Sequence, residues 1–496
     1  MEHTSEYVAP TYGNWRRPRA AGLGKMDLSI SLVVVAGLML AVLASISRGI
    51  GWALVVLAVL GGVVFMVAFK DAHGRSLAVK GSNRLRWWSK KAGGGHVFDS
   101  GPISRMRKAG FALPGVLTGL AVSEHVDPYD RPFALVWHPS GTVAVVIGVS
   151  PDGMALVDPQ VVDMQVARWG QWLAALGDES GLVGAAVTVE TAPDSGDRLR
   201  RAVKLSTSDE AADLAVQVMD EVVESYPRGS AQVRAWITLT FDPTRMGVKK
   251  KNPVQVARAV ALLLPGLMNA LSTTGAGGSH LVDVDTLARI IRCAYDPDSE
   301  ALFDLASVDG TRVDLPWDQV GPGRAVEHVD VYEHEGAVSQ TWVMSAPPRG
   351  EVASSVLSRL IAPHRDFARK RVSILYSPIP SERASLIVER DRKQAASRAG
   401  SAETARASRE FLAADQNARE EASGAGLLDF ALVVTVTGGR GQDKREIASS
   451  LTSLSATARL LIRPAYGKQA TGFAMGLPLG LRPFKDSALR SVGAIQ

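Results

Sequence analysis

The sequence predicts an α+β protein in which two apolar helices precede a soluble region of helices packed on a mixed sheet, with a long helical arm. Two nearly uninterrupted apolar runs, 28–44 and 50–69, begin this pattern. Short β-branched runs and apolar residues at helical spacing then alternate along the chain. A polar segment rich in Ala, Arg and Glu, residues 381–423, contains no proline and few large apolar side chains, which favours a projecting helical arm.

The two apolar runs predict transmembrane helices. Run 50–69 carries no charge and matches the roughly 20 residues that an α-helix needs to cross about 30 Å of hydrocarbon. The first run carries only serine as a polar side chain, and serine can bond back to its own helix. The connection Ser47-Arg48-Gly49 is too short for anything but an antiparallel hairpin. We therefore expect both flanks of the hairpin on the same side of the membrane.

Basic residues lie on both flanks, whereas the connection between the runs offers only Arg48. The positive-inside rule then places both termini in the cytoplasm, as in a multi-pass protein of the inner (cytoplasmic) membrane. A signal peptide ending near Ala44 is the alternative, and it would still leave the second run as an anchor. The cations after the hairpin are expected to contact lipid headgroups, and they are Lys70, Arg75, Lys80, Arg84, Arg86, Lys90 and Lys91.

Composition favours the same compartment. The single cysteine, Cys293, excludes an intramolecular disulfide and suits a reducing cytosol, and its apolar helical context predicts burial. The net charge of +5 is concentrated in residues 1–110, so the remainder is mildly acidic. A body of that sign is a poor partner for nucleic acid, because sequence-independent binding requires neutralised phosphates. Direct nucleic-acid binding is therefore not expected.

Composition shifts divide the chain into six segments. Strand and helix signals recur within the body, although no exact sequence repeat is present. Two similar sub-units are therefore an alternative to a single undivided body. Gly400 and Ser401 suggest that the arm is a helical hairpin, a solvated linker being the alternative. The segments are a cytoplasmic tail (1–27), a transmembrane hairpin (28–69), a basic juxtamembrane linker (70–110), an α+β body (111–380), the charged arm (381–425) and a closing strand-helix segment of the body (426–496).

Individual elements follow from local signals. Runs 133–138 and 143–149 flank Pro-Ser-Gly-Thr, which predicts a β-hairpin. Residues 161–176 repeat apolar side chains at helical spacing after Asp158, a residue typical of a helix start. Near the carboxyl end, a strand over 428–437 is expected to precede a helix over 444–462.

No phosphate-binding loop is present in the sequence, because Gly467-Lys468 is followed by Gln469, and Ile462 occupies the position of the first glycine. Gly438, Gly439 and Gly441 lie between a predicted strand and a predicted helix. We interpret them as a flexible turn, the alternative being an anion site at the helix amino end.

Two groups of aspartate and histidine residues each have two interpretations. Asp283 and Asp285 precede a helix that an aspartate can cap, although two carboxylates at that spacing could share a divalent cation in a membrane-bound nucleotide-sugar transferase. His328, Asp330 and His334 predict a polar surface strand, with a metal site as the alternative. With no recognisable nucleophile and base, we expect a protein that is not an enzyme and has no catalytic residue, cofactor or metal.

Three segments carry a resemblance. Residues 12–24 (YGNWRRPRAAGLG) and the hairpin after them resemble the PrgI-like inner-membrane subunit of type IV secretion and conjugation systems, as found in actinobacterial conjugative elements. The arm, the run LLDFALVVTVTGG and the segment FAMGLPLGLRPF (473–484) are similar in order to the amino-terminal domain of the type IV secretion ATPase. The residues that match the membrane-proximal motif are Tyr12, Trp15, Arg16, Arg17 and Pro18.

The resemblance implies a non-catalytic, membrane-anchored structural component of a type IV-like secretion or conjugation apparatus. Its partners would be the lipid bilayer and other secretion subunits, including a separate P-loop ATPase that it docks at the inner membrane; a homo-oligomer is left open. The alternative within membrane machinery is an EccE-like component of type VII secretion, which also has two amino-terminal spans and a cytosolic α/β domain.

Overall fold

The computed structural model describes most of the chain, and every structural statement below concerns that part. The described residues are 11–13, 15, 28–69, 71, 76–100, 113–151, 153, 157–194, 196–208, 210–225, 231–250, 252–308, 310–311, 313–348, 351–364, 366–401, 405–439 and 443–483.

The amino-terminal region contains a two-residue strand, two apolar helices, one basic helix and a short strand. The second apolar helix is long and apolar enough to cross a membrane, and none of its residues 50–67 is buried. A helix of the body, Pro253–Leu271, also passes the test of length and composition, but its buried face belongs to the protein core. The elements are β1 (Thr11–Tyr12), α1 (Leu28–Arg48), α2 (Ile50–Ala68), α3 (Leu77–Ala92) and β2 (Val97–Asp99).

The first half of the body consists of three strands, then alternating helices and strands, and a final helix α9 that leads to the second half. Its elements are β3 (Ala121–Val126), β4 (Pro132–Trp137), β5 (Val143–Ser150), α4 (Pro159–Ala175), β6 (Leu182–Pro193), α5 (Asp197–Ser206), α6 (Asp213–Ser225), β7 (Ala231–Phe241), α7 (Pro253–Leu271), β8 (Gly278–Leu281), α8 (Val284–Tyr295) and α9 (Ser299–Val308).

The second half repeats this order as far as α8, with a two-residue strand added after its third strand. Its elements are β9 (Arg324–Glu327), β10 (Tyr332–His334), β11 (Ala337–Ala346), β12 (Val352–Ala353), α10 (Ser358–Ile361), β13 (Arg369–Ile379), α11 (Ser381–Ser401), α12 (Ala405–Ala422), β14 (Leu427–Gly439), α13 (Lys444–Thr457), β15 (Leu461–Pro464) and α14 (Gln469–Met475).

One thirteen-stranded sheet unites the two halves in the order β2-β9-β10-β11-β14-β13-β6-β7-β5-β4-β3, with β15 also on β11 and β8 also on β5. The order reads the same from either end of the body, because β13 and β6 meet at its centre as antiparallel neighbours. Each half is therefore topologically equivalent to the other, related by an approximate twofold axis between these two strands.

Strand register extends the equivalence to single residues. Thr188 and Ser373 face each other at the axis, and Trp236 and Val433 are their partners on the next strands outward. Following the ladders further aligns segment 141–150 (GTVAVVIGVS) with segment 336–345 (GAVSQTWVMS). These segments share glycine, valine and serine at three aligned positions, a weak repeat that a search for exact identity overlooks.

Alternating side chains fill a core on each face of the sheet. On β4, Phe133 and Leu135 pack toward α4 and α7, whereas Ala134 and Val136 pack toward α8. In the second half, the face equivalent to that of α7 is covered by α13, through Ile447 and other apolar residues. Inner strands such as β4 and β5 are thus buried on both faces, which explains why they read as continuous apolar runs.

Residues 469–483, named here the strap, cross the other face of the sheet from one half to the other. Gly472 lies over Thr341 on β11, and Gly476 lies over Thr435 on β14. Beyond the axis, the Thr240 hydroxyl donates to the Gly480 carbonyl at 2.9 Å. A Cβ atom at Gly480 would collide with Ala144, so only glycine permits this approach to the sheet.

The fold is mixed α+β, as the sequence predicts, but the sheet is not the mixed sheet that was expected. Every pairing between named strands is antiparallel. Strand β5 pairs with β7 and not with β6, which follows it in the sequence. The expected helix over 444–462 also differs from the structure. It ends at Thr457, and Arg459 then adopts a φ of 53° before β15 begins.

Candidate functional site

The candidate site is the set of contacts between the amino-terminal region and the second half of the body. It includes the apolar helices α1 and α2. The two helices touch where Gly37 lies beside Leu60, since a Cβ atom at Gly37 would collide with the Leu60 side chain. Most of the described side chains of both helices are exposed, including Leu57 and Phe65. A surface this apolar is stable in lipid and costly in water.

The chain before α1 binds to the second half. Thr11 and Tyr12 pair with Ala353 and Val352 of β12 in a short antiparallel ladder. The Trp15 ring packs on Phe430 at the start of β14, with 5.4 Å between ring centroids. Two residues of the predicted membrane-proximal motif therefore contact the body. Arg16, Arg17 and Pro18 of that motif lie outside the described residues.

The chain after α2 binds to the same half. Ser76 caps α3 by accepting the Val79 N–H, which fixes where the helix begins. After α3, strand β2 adds to β9, pairing Phe98 with Ala325. The amino-terminal apolar pair is thus joined to the second half on both of its sides.

Helix α3 packs against the body through a buried carboxylate. Lys90 forms an ion pair with Glu327, whose side chain is only 2 % exposed, and Glu327 also accepts the Ala470 N–H at 3.0 Å. Trp87 packs edge-on against His96, with ring centroids 6.3 Å apart. Since a buried carboxylate without its cation is costly, Lys90 is held at this position rather than left free for lipid.

The opposite face of α3 is amphipathic in the manner of an interfacial helix. Arg84 and Lys91 are exposed on this face, and the exposed apolar side chains Leu85 and Trp88 lie beside them. Arg86 is also exposed, but it lies one turn before Lys90 on the face toward the body, near Lys468. Lys80 pairs with Asp71 at 3.1 Å, in addition to the Lys90 pair. Of the seven cations predicted to contact headgroups, Lys70 and Arg75 lie outside the described residues.

A buried ionic cluster lies at the junction of the two halves. The Glu190 carboxylate on β6 accepts hydrogen bonds from Arg371 at 2.7 Å and from Arg369 at 2.7 Å. Both arginines lie on β13, across the axis. Glu300 of α9 completes it by pairing with Arg234 and Arg369. Arg369, Arg371 and Glu190 are each at most 3 % exposed. The two halves are therefore joined by charged side chains as well as by backbone ladders.

The electrostatics of this cluster favour its ionised form. Burial alone would raise the pKa of Glu190, but Arg369, Arg371 and Arg234 outweigh burial and hold the pKa at about 2. Burial raises the pKa of the neighbouring Cys293 thiol to about 11. Cys293 is buried in α8 as predicted, and its raised pKa makes it a poor nucleophile.

A second polar network is buried beside the strap. His334 bonds to the Tyr295 carbonyl through Nδ1 and to the Ser339 hydroxyl through Nε2, at 2.8 Å. Ser339 in turn lies 2.7 Å from Thr437 Oγ1. Burial lowers the pKa of His334 to about 4, so the imidazole is neutral at pH 7. The prediction that His328, Asp330 and His334 lie on a polar surface strand is wrong, because a turn follows β9 and the His334 side chain is buried.

The arm is a pair of helices inserted between β13 and β14. Ala384, Val388 and Ala395 of α11 are buried, as is Ala407 of α12. An ion pair of 3.8 Å between Arg392 and Asp415 bridges the two helices. Topologically the arm is equivalent to α5 and α6 of the first half, which are inserted between β6 and β7.

The weaker sequence candidates have structural roles. Asp283 caps α8 by accepting the Thr286 N–H at 2.7 Å, and Asp285 follows in the first turn of that helix. Gly438 and Gly439 belong to strand β14 rather than to a turn, pairing with Val338 and Ala337. Gly441 lies outside the described residues.

The anion-site hypothesis for the glycine segment has an acidic residue against it. Asp443 caps α13 and accepts the Arg445 N–H at 2.8 Å. Its carboxylate occupies the position that a bound anion would take. Among the residues that the structure describes, no group of three or more His, Cys, Asp or Glu side chains is arranged to hold a metal ion.

Sequence reasoning missed the junction cluster because its residues are charged and alternate along strands, which usually indicates a solvated face. The signal that could have found it is the weak repeat 141–150 and 336–345, which implies two paired halves and hence a shared central pair of strands. No protein-family model matches this chain, and no curated protein sequence matches it. Its function must therefore be argued from its own residues.

Proposed function

We propose that this chain is a non-catalytic, membrane-anchored structural component of a type IV-like secretion or conjugation apparatus, and that it docks a separate P-loop ATPase at the inner membrane. The observation that carries the proposal is the attachment of the second half on both sides of the apolar pair. Tyr12 and Trp15 bind the body before α1, and α3 binds it after α2. Such attachment suits a part that holds partners at a fixed position.

In this proposal α1 and α2 cross the membrane as an antiparallel hairpin. Both flanks then lie in the cytoplasm, where the exposed cations of α3 meet anionic headgroups. The sheet body and the arm lie on that same side, within reach of a cytosolic ATPase. The apolar surface of α2 supports this arrangement. So does helix α3, which follows α2 and carries basic residues and tryptophans.

Co-purification tests the docking role. The full chain, tagged and expressed with its genomic neighbours, is isolated in mild detergent, and retained proteins are identified by mass spectrometry. We expect a P-loop ATPase at near-stoichiometric yield. Recovery of the chain with small exported proteins of the WxG type and no conjugation ATPase would favour type VII secretion, and recovery of no ATPase would refute the docking role.

Cysteine labelling tests the topology. The native Cys293 is buried, so a new surface cysteine reports alone. Arg48→Cys, between the apolar helices, should react with a membrane-impermeant maleimide in intact cells. Leu412→Cys on the exposed surface of α12 should react only after the cells are lysed. Labelling of Leu412→Cys in intact cells would contradict a cytoplasmic body.

A further inference from the structure

Two adjoining turns of the second half each expose an apolar side chain beside helix α3. Val329, in the turn between β9 and β10, is 44 % exposed, and Tyr466, in the turn between β15 and α14, is 46 % exposed. The Gly467 N–H donates to the Val329 carbonyl at 2.7 Å, so the two turns form one continuous surface. Residues 328–330 and 465–468 are named here the edge turns, because β10 and β15 both lie on the outer side of β11.

The edge turns pack directly against α3. A Cβ atom on Gly467 would come within 3.7 Å of the Trp87 Cβ atom, which places the Gly467 backbone in van der Waals contact with the helix. Lys90, three residues after Trp87, pairs with Glu327, the residue that immediately precedes the edge turns. The position of these turns relative to α3 is therefore fixed by direct contacts.

Helix α3 sets the level of the edge turns relative to a bilayer. It follows the candidate span α2 and contacts it. An interfacial helix buries its apolar face about 5–10 Å into the headgroup boundary, so the sides of a helix about 10 Å wide lie among the headgroups. Leu85 and Trp88 form that apolar face, and Arg86 lies on its body-facing side, next to the edge turns. The edge turns are then at headgroup depth.

Positive charge gathers where α3 meets the edge turns. Burial, and then the neighbouring charges of Arg86 and Arg463, lower the pKa of Lys468 to about 8, so Lys468 is still largely protonated at pH 7. Cations held close together repel one another, and a lipid phosphate beside Arg86 and Lys468 would relieve that repulsion.

The acidic residues at this edge do not reverse its sign. Asp330 and Glu333 are outnumbered by the exposed cations of α3 together with Lys468. The other carboxylates here already have cations. The ion pairs at this edge of the described chain are Lys90–Glu327, Arg324–Asp99 at 3.7 Å and His328–Glu333 at 3.3 Å.

We propose that the edge turns are a second bilayer contact of this protein, through which the body rests on anionic lipid by Val329, Tyr466 and Lys468. The inference deepens the proposed function and rests on its membrane anchoring. An anionic bilayer fits this surface, because lysine and arginine attract its headgroups and a tyrosine ring suits the boundary between headgroups and acyl chains. The sheet then stands with its β2 edge toward the membrane.

Quenching of a site-specific fluorophore in nanodiscs tests the contact. Tyr466→Cys in the full chain carries the label, because the native Cys293 is buried. The discs contain phosphatidylglycerol and a lipid with a nitroxide on its headgroup. The matched control is Leu262→Cys on α7, a position in the first half that is 62 % exposed. We expect about threefold stronger quenching at position 466 than at position 262, and equal quenching overturns the inference.

Removal of charge provides a second measurement. Arg86→Gln with Lys468→Gln should lower the quenching at position 466 about twofold in anionic discs, and should change it little in discs of phosphatidylcholine alone. The matched control is Lys249→Gln with Arg258→Gln, which removes two exposed cations of the first half. Equal quenching for the two double variants would overturn the assignment of Arg86 and Lys468.

A label within α2 separates this inference from the anchor itself. Phe65→Cys replaces a side chain that is 60 % exposed, and a nitroxide on the lipid acyl chain should quench its label. Quenching at position 65 without quenching at position 466 overturns the inference and leaves the anchored docking role standing. No quenching at either position refutes the membrane anchor, and with it the proposed function and this inference together.

Discussion

Thr188 Oγ1 and Ser373 Oγ lie 3.0 Å apart at the centre of the β6–β13 pair, where the two halves of the sheet meet. Ser373 donates its own proton to the Gly476 carbonyl of the strap, so Thr188 must donate to Ser373. A residue from each half and one from the strap thus form a single directional chain of hydrogen bonds. The junction is closed by side chains as well as by the ladder.

Glu190→Gln should destabilise the protein strongly. The substitution leaves Arg369 and Arg371 buried with one fewer negative charge, and removing one partner from a buried ion cluster typically costs about 3–5 kcal/mol. Denaturant unfolding of the full chain in detergent, followed by tryptophan fluorescence, measures the change. Glu389→Gln on the exposed face of α11 is the control and should leave the midpoint unchanged; equal midpoints for both variants would contradict this role of the cluster.

Stability should fall as the pH is lowered from about 6.5 to about 4. His334 has a folded pKa of about 4 against an ordinary 6.5, so the unfolded chain binds a proton in this window that the folded chain rejects. The full effect is about 3 kcal/mol, at about 1.4 kcal/mol per pKa unit. Unfolding midpoints measured across this range in His334→Gln should show a shallower slope.

The comparison variant for that experiment is His125→Gln on β3. Burial lowers the pKa of His125 too, but its side chain is only partly buried and the residue lies at the sheet edge. Its substitution should change the slope far less than His334→Gln does. Parallel pH profiles for the unmodified chain and His334→Gln would show that His334 is not the titrating group.

Gly480→Ala should loosen the strap. The residue has a φ of 74°, and an added methyl group would collide with Ala144 and approach the Thr240 hydroxyl. We expect a loss of about 2 kcal/mol from strain and displaced packing together. Gly170→Ala within α4 is the control, since the space beside it is open and alanine should stabilise that helix by up to about 1 kcal/mol. Equal thermal midpoints for the two variants would contradict the role of the strap.

Trp88 should insert at the bilayer surface, whereas Trp87 should not. Trp88 is 64 % exposed between the cations of α3, and Trp87 packs on His96. In vesicles of brominated phosphatidylglycerol, Trp88→Phe should remove part of the fluorescence quenching, and Trp87→Phe should leave the quenched fraction unchanged. The reverse result would place the other face of α3 against lipid.

The elements that the sequence predicts well are those fixed by local signals. The β4–β5 hairpin is confirmed, because its turn residues and β-branched strands act within a few positions of each other. The burial of Cys293 is confirmed for the same reason, since the helical repeat around it defines one apolar face.

Long-range pairing could not be predicted in this way. Glu190 and Arg371 each look solvent-exposed in isolation, and only their cross-strand partnership makes burial tolerable. The antiparallel sheet was missed because β5 is followed by a helix and then by β6, an order that usually indicates parallel neighbours. The burial of His334 was not predicted because its partners, Tyr295 and Ser339, come from a different helix and strand.

The attachment of the second half on both sides of α1 and α2 has a mechanical consequence. A body joined to the apolar helices through one contact has more freedom to rotate than one joined through Trp15 on one side and Lys90 on the other. Two contacts therefore remove more rotational entropy before a partner arrives, which lowers the entropic cost of docking. Removing either contact should leave the protein folded, with a body that rotates more freely relative to the apolar helices.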